Sequence, residues 1–312
     1  MESYLVIPGY SPKRIYVFLK SFISAFFFRR RNSLIVVQRV SSNFIYANLL
    51  KLLVLVRNTG TVYDLDDADY LECDPKTIYF FAENCQTISA GSMQIKHHLK
   101  KYNNRILQTT SPVVDLELIK QGKNSIFTVG WIGGFGGDQK SSLIELVFPA
   151  LKLLLFKFKL IILGVNNLLD KEFIFRYFES NTNMEIEIPL DIDWNEEIAI
   201  QKRILTFDIG IATLTSKELQ LSKSGIKAKQ YLNNGIPVLS SNLPENNSVV
   251  IDGFNGYFCG NKKDYYDKLN LFYIMNNDEY VKFSVNARSS IGSFDHNKYF
   301  TYFEKIFTCE HV

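Results

Sequence analysis

The chain has 312 residues, 46% of them hydrophobic and 21% charged, which is enough apolar material for two modest α/β domains and excludes a disordered polypeptide. A net charge of +3 and a sequence pI near 8.5 are too mild for a protein that tracks phosphates along a strand, so no nucleic-acid partner is expected. Cys73, Cys85, Cys259 and Cys309 are scattered without paired spacing, and Met1-Glu2-Ser3-Tyr4 lacks a basic n-region and a cleavage pattern; a cytoplasmic protein without disulfides is expected.

The first apolar segment is Ile15–Leu19, then Phe22-Ile23 and Phe26-Phe27-Phe28, broken by Lys20 and ended by Arg29-Arg30-Arg31. It is shorter than the roughly 20 residues needed to span a bilayer. Two readings stay open for residues 15–31: a helix packed on the first domain, or an aromatic and arginine-rich face resting on anionic lipid at the inner face of the plasma membrane.

Short runs rich in β-branched and apolar residues follow: Leu34–Val37, Thr61–Tyr63, Thr87–Ser89, Ile106-Leu107, Ile126–Val129, Leu160–Leu163, Met184–Glu187, Ile209–Ile211 and Pro237–Leu239. They read as buried parallel strands. Stretches such as Ser142 to Phe156 and Asn195 to Leu205 carry helical apolar spacing between them, so the chain alternates strand and helix. The turn-rich segment from Ser111 to Asn124 places a domain boundary near residue 120. A further helix is expected over Tyr299 to Phe307.

The cluster from Gly130 to Gly137 follows a strand and precedes a helix, where free amides can receive a phosphate; a plain flexible turn fits the same residues. As a dinucleotide fingerprint it fails, because Gln139 stands where the third glycine belongs. Lys140, at the helix start, is either a phosphate ligand or a solvated lysine. The stretch from Phe207 to Ser241 is richer, with a helix opening at Ser224 or Gly225 and stopped by Gly235, then a strand after Pro237. Gly225 lets a ligand approach the backbone, and the opening turn offers amides to a diphosphate.

Lys223, Gly225, Lys227, Gln230, Tyr231, Leu232, Gly235, Pro237 and Val238, followed by Asn255-Gly256-Tyr257, resemble the donor-binding core of the family 4 retaining glycosyltransferases, including those that build bacterial surface polysaccharides. Val62–Ala68 and Gly130-Trp131-Ile132-Gly133 resemble two further stretches of that family. The resemblance implies an α/β protein of GT-B type: two Rossmann-like domains with parallel sheets facing across a cleft, the N-terminal one shortened. The domains would span residues 1–120 (acceptor side) and 121–290 (nucleotide sugar), with residues 291–312 crossing back to the first. It also implies a metal-independent transferase that uses a UDP- or GDP-sugar as substrate, needs no cofactor, and passes the sugar with retention to a glycan or polyprenyl-linked acceptor.

On this resemblance Lys223 and Lys227 are the catalytic cations. Gly133, Gly134, Lys140, Ser222, Ser224, Gly225, Gln230 and Glu245 would bind the donor, and Arg39, Asp66 and Asp67 would lie on the acceptor side. The sequence departs from the family in its short N-terminal domain, which lacks the customary first strand with its glycine-rich acceptor loop before residue 34, and at three places in the donor site. Ser222 and Gln230 stand where two glutamates are usual, Ser248 replaces another with Glu245 nearby, and Trp131 occupies the place of the diphosphate arginine. Asp64, Asp66 and Asp67 could hold a divalent ion, but helix capping or acceptor contacts are the favoured roles. His97-His98 is expected at the surface. The departures keep two alternatives in view, a non-catalytic GT-B domain that binds a sugar nucleotide or a partner, and a sugar-nucleotide epimerase.

Overall fold

In the computed structural model the described residues are 11–27, 34–38, 44–57, 60–109, 111–292, 294, 300, 301 and 304. Contacts divide the chain into two compact units, one formed by Met1–Thr110 with Phe300–Val312 and the other by Ser111–Tyr299. Each unit carries one all-parallel sheet, so the α/β class with two Rossmann-like units is what the structure has.

In the first unit, α1 (Pro12–Phe27) precedes β1 (Ile35–Gln38), α2 (Phe44–Arg57), β2 (Thr61–Leu65), α3 (Pro75–Asn84), β3 (Thr87–Ala90), α4 (Met93–Leu99) and β4 (Ile106–Gln108). The sheet order is β1-β2-β3-β4. Val62, Tyr63, Leu65, Ile88 and Ala90 are buried, as expected of strands covered by helices on both faces. Asp74 caps α3 by accepting from the Lys76 amide, with Pro75 at the first helical position, and Ser92 caps α4 by accepting from the Ile95 amide. His97 is exposed as expected, and His98 is half-buried: its ring stacks on Tyr70 at 3.9 Å and meets the Tyr79 hydroxyl at 3.2 Å. Of the terminal helix expected over 299–307, only Phe300, Thr301 and Glu304 are described, and they group with the first unit. Arg29, Arg30, Arg31 and Arg39 lie outside the described residues.

The second unit runs β5 (Phe127–Ile132), α5 (Gly137–Ser142), a π-helical turn (Leu143–Val147), α6 (Phe148–Leu151), β6 (Phe158–Leu163), α7 (Leu168–Tyr177), β7 (Met184–Glu187) and α8 (Glu197–Ile204). It continues with β8 (Ile209–Ala212), α9 (Glu218–Leu221), α10 (Ile226–Asn233), β9 (Val238–Ser240), α11 (Pro244–Asn247), β10 (Gly256–Phe258), α12 (Lys262–Ile274) and α13 (Asn277–Ser289). The sheet order is β10-β9-β8-β5-β6-β7. Residues alternate between its faces with period two: Phe127, Val129 and Trp131 of β5 join Phe158, Leu160 and Ile162 of β6 in one core, while Ile132, Ile161 and Leu163 join the other.

Two expectations change here. Gly130 and Trp131, read as part of a turn, lie inside β5 and are fully buried; a Cβ at Gly130 would fall 2.0 Å from the Phe207 ring, so the glycine makes room for a core side chain. The following helix opens at Gly137 and closes at Leu151, five residues before the expected Phe156, and its middle turn is π-helical.

The stretch read as a boundary near residue 120 is tied into the second unit. Buried Lys120 pairs with Asp208 at 3.3 Å, and Asp208 accepts from the Asn124 and Thr128 amides at 2.8 Å each. Lys123 donates to the Phe272, Tyr273 and Met275 carbonyls around the end of α12, a favourable place for a cation.

Candidate functional site

In the second unit the chain winds outward through β5, β6 and β7, returns, and winds the other way through β8, β9 and β10. The order therefore reverses between β5 and β8, and a parallel sheet binds its ligands outside the carboxyl ends of the strands at such a point. Only Val129↔Ile209 and Gly130↔Gly210 are paired between these strands. Beyond them the Ile132 amide donates to the Tyr231 hydroxyl at 2.9 Å, and that hydroxyl donates to the Ile211 carbonyl at 3.3 Å. Gly210 permits this, since a Cβ there would lie 2.4 Å from the Tyr231 ring.

Several helices open at this edge of the sheet without a side-chain cap, and two of them start at a glycine. α5 follows Gly136, and α10 follows Gly225, whose φ of +68° is the left-handed conformation glycine adopts without strain. Such helix starts present unsatisfied amides and the positive end of the dipole. The loop between β5 and α5 is held on β6 by the Gly133 amide to the Leu163 carbonyl at 2.9 Å and the Phe135 amide to the Gly164 carbonyl at 3.2 Å. Around Gly134 a side chain would meet nothing within 4 Å, so the backbone there borders open space.

Lys227 sits in the first turn of α10. Its Cε lies 2.7 Å from where a Gly133 side chain would begin, and its Nζ is 5.6 Å from the centre of the Trp131 ring. Among the described residues this ammonium has no hydrogen-bond or ion-pair partner. Burial, aided by the nearby charge of Lys223, brings its pKa down to about 8. The result is a cation without a counter-ion beside free amides, an arrangement that an anion completes.

The other expected donor residues fall in different roles. Ser222 donates to the Glu218 carbonyl at 3.1 Å, and Ser224 accepts from the Ser111 hydroxyl at 3.1 Å. Glu245 is buried in α11, with its carbonyl 3.1 Å from the Cβ position of Gly225. Gln230 is half-buried, one turn along α10 from Lys227. Lys140 is engaged: it pairs with Asp170 at 2.6 Å, and this contact draws the Asp170 carboxyl below its usual range.

Sequence reasoning passed over a set of buried polar atoms at the same edge. Trp131 Nε1, Gln139 Oε1, Thr215 Oγ1 and Gln220 Oε1 have no partner among the described residues. Buried polar groups are normally satisfied, so these atoms mark a place completed by water or ligand. The signal available was the run of polar residues just past Ala212.

In the first unit, Asp66 and Asp67 are half-buried after β2, and Gly91 leaves the space that Asp66 occupies. Asp64 is half-buried at the end of β2. It accepts from Gln38 at 2.8 Å and from Ser89 at 2.6 Å, and Ser89 also bonds the Thr109 hydroxyl, so a polar chain crosses the carboxyl ends of all four strands. Burial raises the Asp64 pKa against the opposing effect of these bonds. Among the described residues no group of three His, Cys, Asp or Glu is arranged to hold a metal ion.

No family model and no curated protein matches the sequence. Solved structures do resemble the fold. A glycosyltransferase from Rickettsia africae superposes with a TM-score of 0.70 at 14% identity, covering 97% of this chain and 84% of that one. HepE from Anabaena, solved with UDP and glucose, gives 0.68 at 11% identity, covering 94% and 82%. The pneumococcal O-GlcNAc transferase GtfA, solved with UDP and GlcNAc, gives 0.65 at 12% identity; 95% of this chain is covered, and the chain spans 59% of GtfA. The two parallel-sheet units thus share the GT-B glycosyltransferase fold.

Proposed function

We propose that this chain is a glycosyltransferase that binds a nucleotide-sugar donor, UDP- or GDP-linked, at the carboxyl edge of the second sheet. The observation that carries the reading is the unneutralised Lys227 beside the uncapped start of α10 and the open backbone at Gly134. A diphosphate would take the amides after Gly225 and the Lys227 charge, with Lys223 adding to the field. Ser222, Ser224, Gln230, Glu245 and Gly133 would shape the walls around nucleotide and sugar. The similarity to structures solved with UDP supports the same reading.

Transfer is proposed to proceed with retention, to a glycan or polyprenyl-linked acceptor of the kind found in surface-polysaccharide synthesis. As the sugar leaves, charge accumulates on the diphosphate, and fixed amides with a desolvated lysine stabilise it more in the transition state than in the ground state. No metal is required by this scheme. Arg39, Asp66 and Asp67 are assigned to the acceptor side, and a site at the cytoplasmic face of a membrane would suit a lipid-linked acceptor.

Ser222 and Gln230, in place of two acids, favour a second reading in which the chain binds the nucleotide sugar without turning it over. Calorimetry with UDP and GDP tests the site. A release assay for nucleoside diphosphate across UDP- and GDP-sugars, with glycan and polyprenyl-phosphate acceptors and with EDTA present, tests the reaction. Lys227→Ala should cost about 1–3 kcal/mol of diphosphate binding. Binding unchanged in a folded variant would remove Lys227 from the site, and binding without acceptor-dependent release would favour the second reading.

A further inference from the structure

Between Glu2 and Asp64 the sequence carries nine Lys and Arg residues and no Asp or Glu, although the whole chain is only +3. The basic excess is therefore concentrated in one segment, and the rest of the chain is acidic on balance. That segment includes α1 and α2, which pack together in the first unit through Phe18 against Tyr46, with ring centroids 4.4 Å apart, and through Arg57 Nε donating to the Ala25 carbonyl at 3.1 Å.

The faces turned away from this packing are apolar as well. On α1, Tyr16, Leu19, Ile23 and Phe27 fall at i, i+3, i+7 and i+11, one stripe of a helix, and Tyr16 and Phe27 are 65% and 70% exposed. Lys13 and Lys20 flank that stripe and Arg14 is exposed on the same helix. On α2, Phe44 and Ile45 are 82% and 65% exposed, and Leu52, Leu55 and Val56 continue the outward side. Large apolar side chains in such density mark a surface that is covered in use.

We propose that the outward faces of α1 and α2 bind an anionic lipid surface. The charge selects this occupant. A second copy of the same face would bring cations against cations with no carboxylate to pair them, whereas an anionic bilayer offers apolar depth and negative headgroups together. At 16 residues α1 is about 24 Å long, shorter than the ~30 Å hydrocarbon core, and no helix among the described residues is long and apolar enough to cross a membrane, so α1 would lie along the surface. The inference does not rest on the proposed transferase activity.

The test is co-sedimentation of the full chain with vesicles of phosphatidylglycerol and phosphatidylcholine, against phosphatidylcholine alone, over a salt series. Binding to the anionic vesicles is expected, falling steeply with salt. It should weaken about 100-fold in Lys13→Gln/Arg14→Gln/Lys20→Gln. A comparable loss is expected in Tyr16→Ser/Ile23→Ser/Phe27→Ser, whose substitutions replace exposed side chains and should leave the melting temperature in place. No binding by the parent chain at any salt overturns the proposal, as does binding that ignores lipid charge. So does a concentration-dependent dimer, seen by sedimentation velocity without vesicles, that the Tyr16 triple variant dissolves. UDP calorimetry on the same preparation keeps this outcome separate from that of the donor site.

Discussion

The Lys227 ammonium lies over the face of the Trp131 indole, 5.6 Å from its centre, at the point where β5 ends and α10 begins. The ring offers partial compensation for a cation that no carboxylate meets. With the amine held near pKa 8 by burial and by Lys223, the charge that would receive a diphosphate is lost within the physiological-to-alkaline range. Diphosphate affinity is therefore expected to be flat below about pH 8 and to fall as pH rises through it, until the raised pKa of the bound amine is passed. Calorimetry with UDP from pH 6.5 to 9.5, in buffers of matched ionization heat, checks this, and Lys227→Ala should flatten the profile.

The same amine has an opposite effect on stability. Its folded pKa lies below the unfolded value of 10.5, so the unfolded chain holds the extra proton between about pH 8 and 10.5. Stability contributed by this site should rise with pH across that window. Lys227→Met should raise the urea midpoint at pH 7 and remove the site's alkaline gain.

Gly130→Ala should destabilise the second unit by about 3 kcal/mol, because the added methyl would sit 2.0 Å from the Phe207 ring in a packed core. Pairing it with Phe207→Leu should recover part of the loss. Urea denaturation of the two single variants and the double variant reads the coupling.

The buried Lys120–Asp208 pair gives a larger effect. Asp208 is fully buried and accepts two backbone amides besides the lysine, so Asp208→Ala leaves a buried cation and two orphaned donors, at a cost of about 3–5 kcal/mol. Thermal denaturation should show the loss, and Lys120→Met/Asp208→Asn should be milder than Asp208→Ala alone.

Gly225→Ala should separate binding from folding. The left-handed backbone costs about 1–2 kcal/mol with a side chain, and the new methyl would lie 3.1 Å from the Glu245 carbonyl at the mouth of α10. UDP affinity should fall tenfold or more while the far-UV spectrum is retained. Unchanged affinity would move the diphosphate away from this helix start.

Much of this architecture can be read from local pattern. The β-branched runs predict β1 to β9 because parallel strands are apolar on both faces, while β10, Gly256-Tyr257-Phe258, carries no such run; Gly225 with Gly235 brackets α10 because helix ends need glycine's backbone freedom. What local pattern hides is partnership at a distance. Gly130 and Trp131 look like a turn until Phe207 is seen to fill the glycine's place, and Lys140 looks available until Asp170 is found against it. The acceptor-side aspartates illustrate the same limit: Asp64 has no more prominence in sequence than Asp66 or Asp67, yet it joins a polar chain through Gln38, Ser89 and Thr109.

The hydroxyl of Tyr231 stands where β5 and β8 would otherwise go on pairing, and it takes the Ile132 amide and the Ile211 carbonyl for itself. It works as a wedge, ending the pairing of the two central strands at their tips while giving the Ile132 amide and the Ile211 carbonyl a partner. The end of the ladder is thus part of the resting fold, and a ligand bound beyond it breaks no strand pairing. The same side chain belongs to α10, so the helix is pinned to the ends of both strands, and its first-turn amides need not be reorganised when charge arrives.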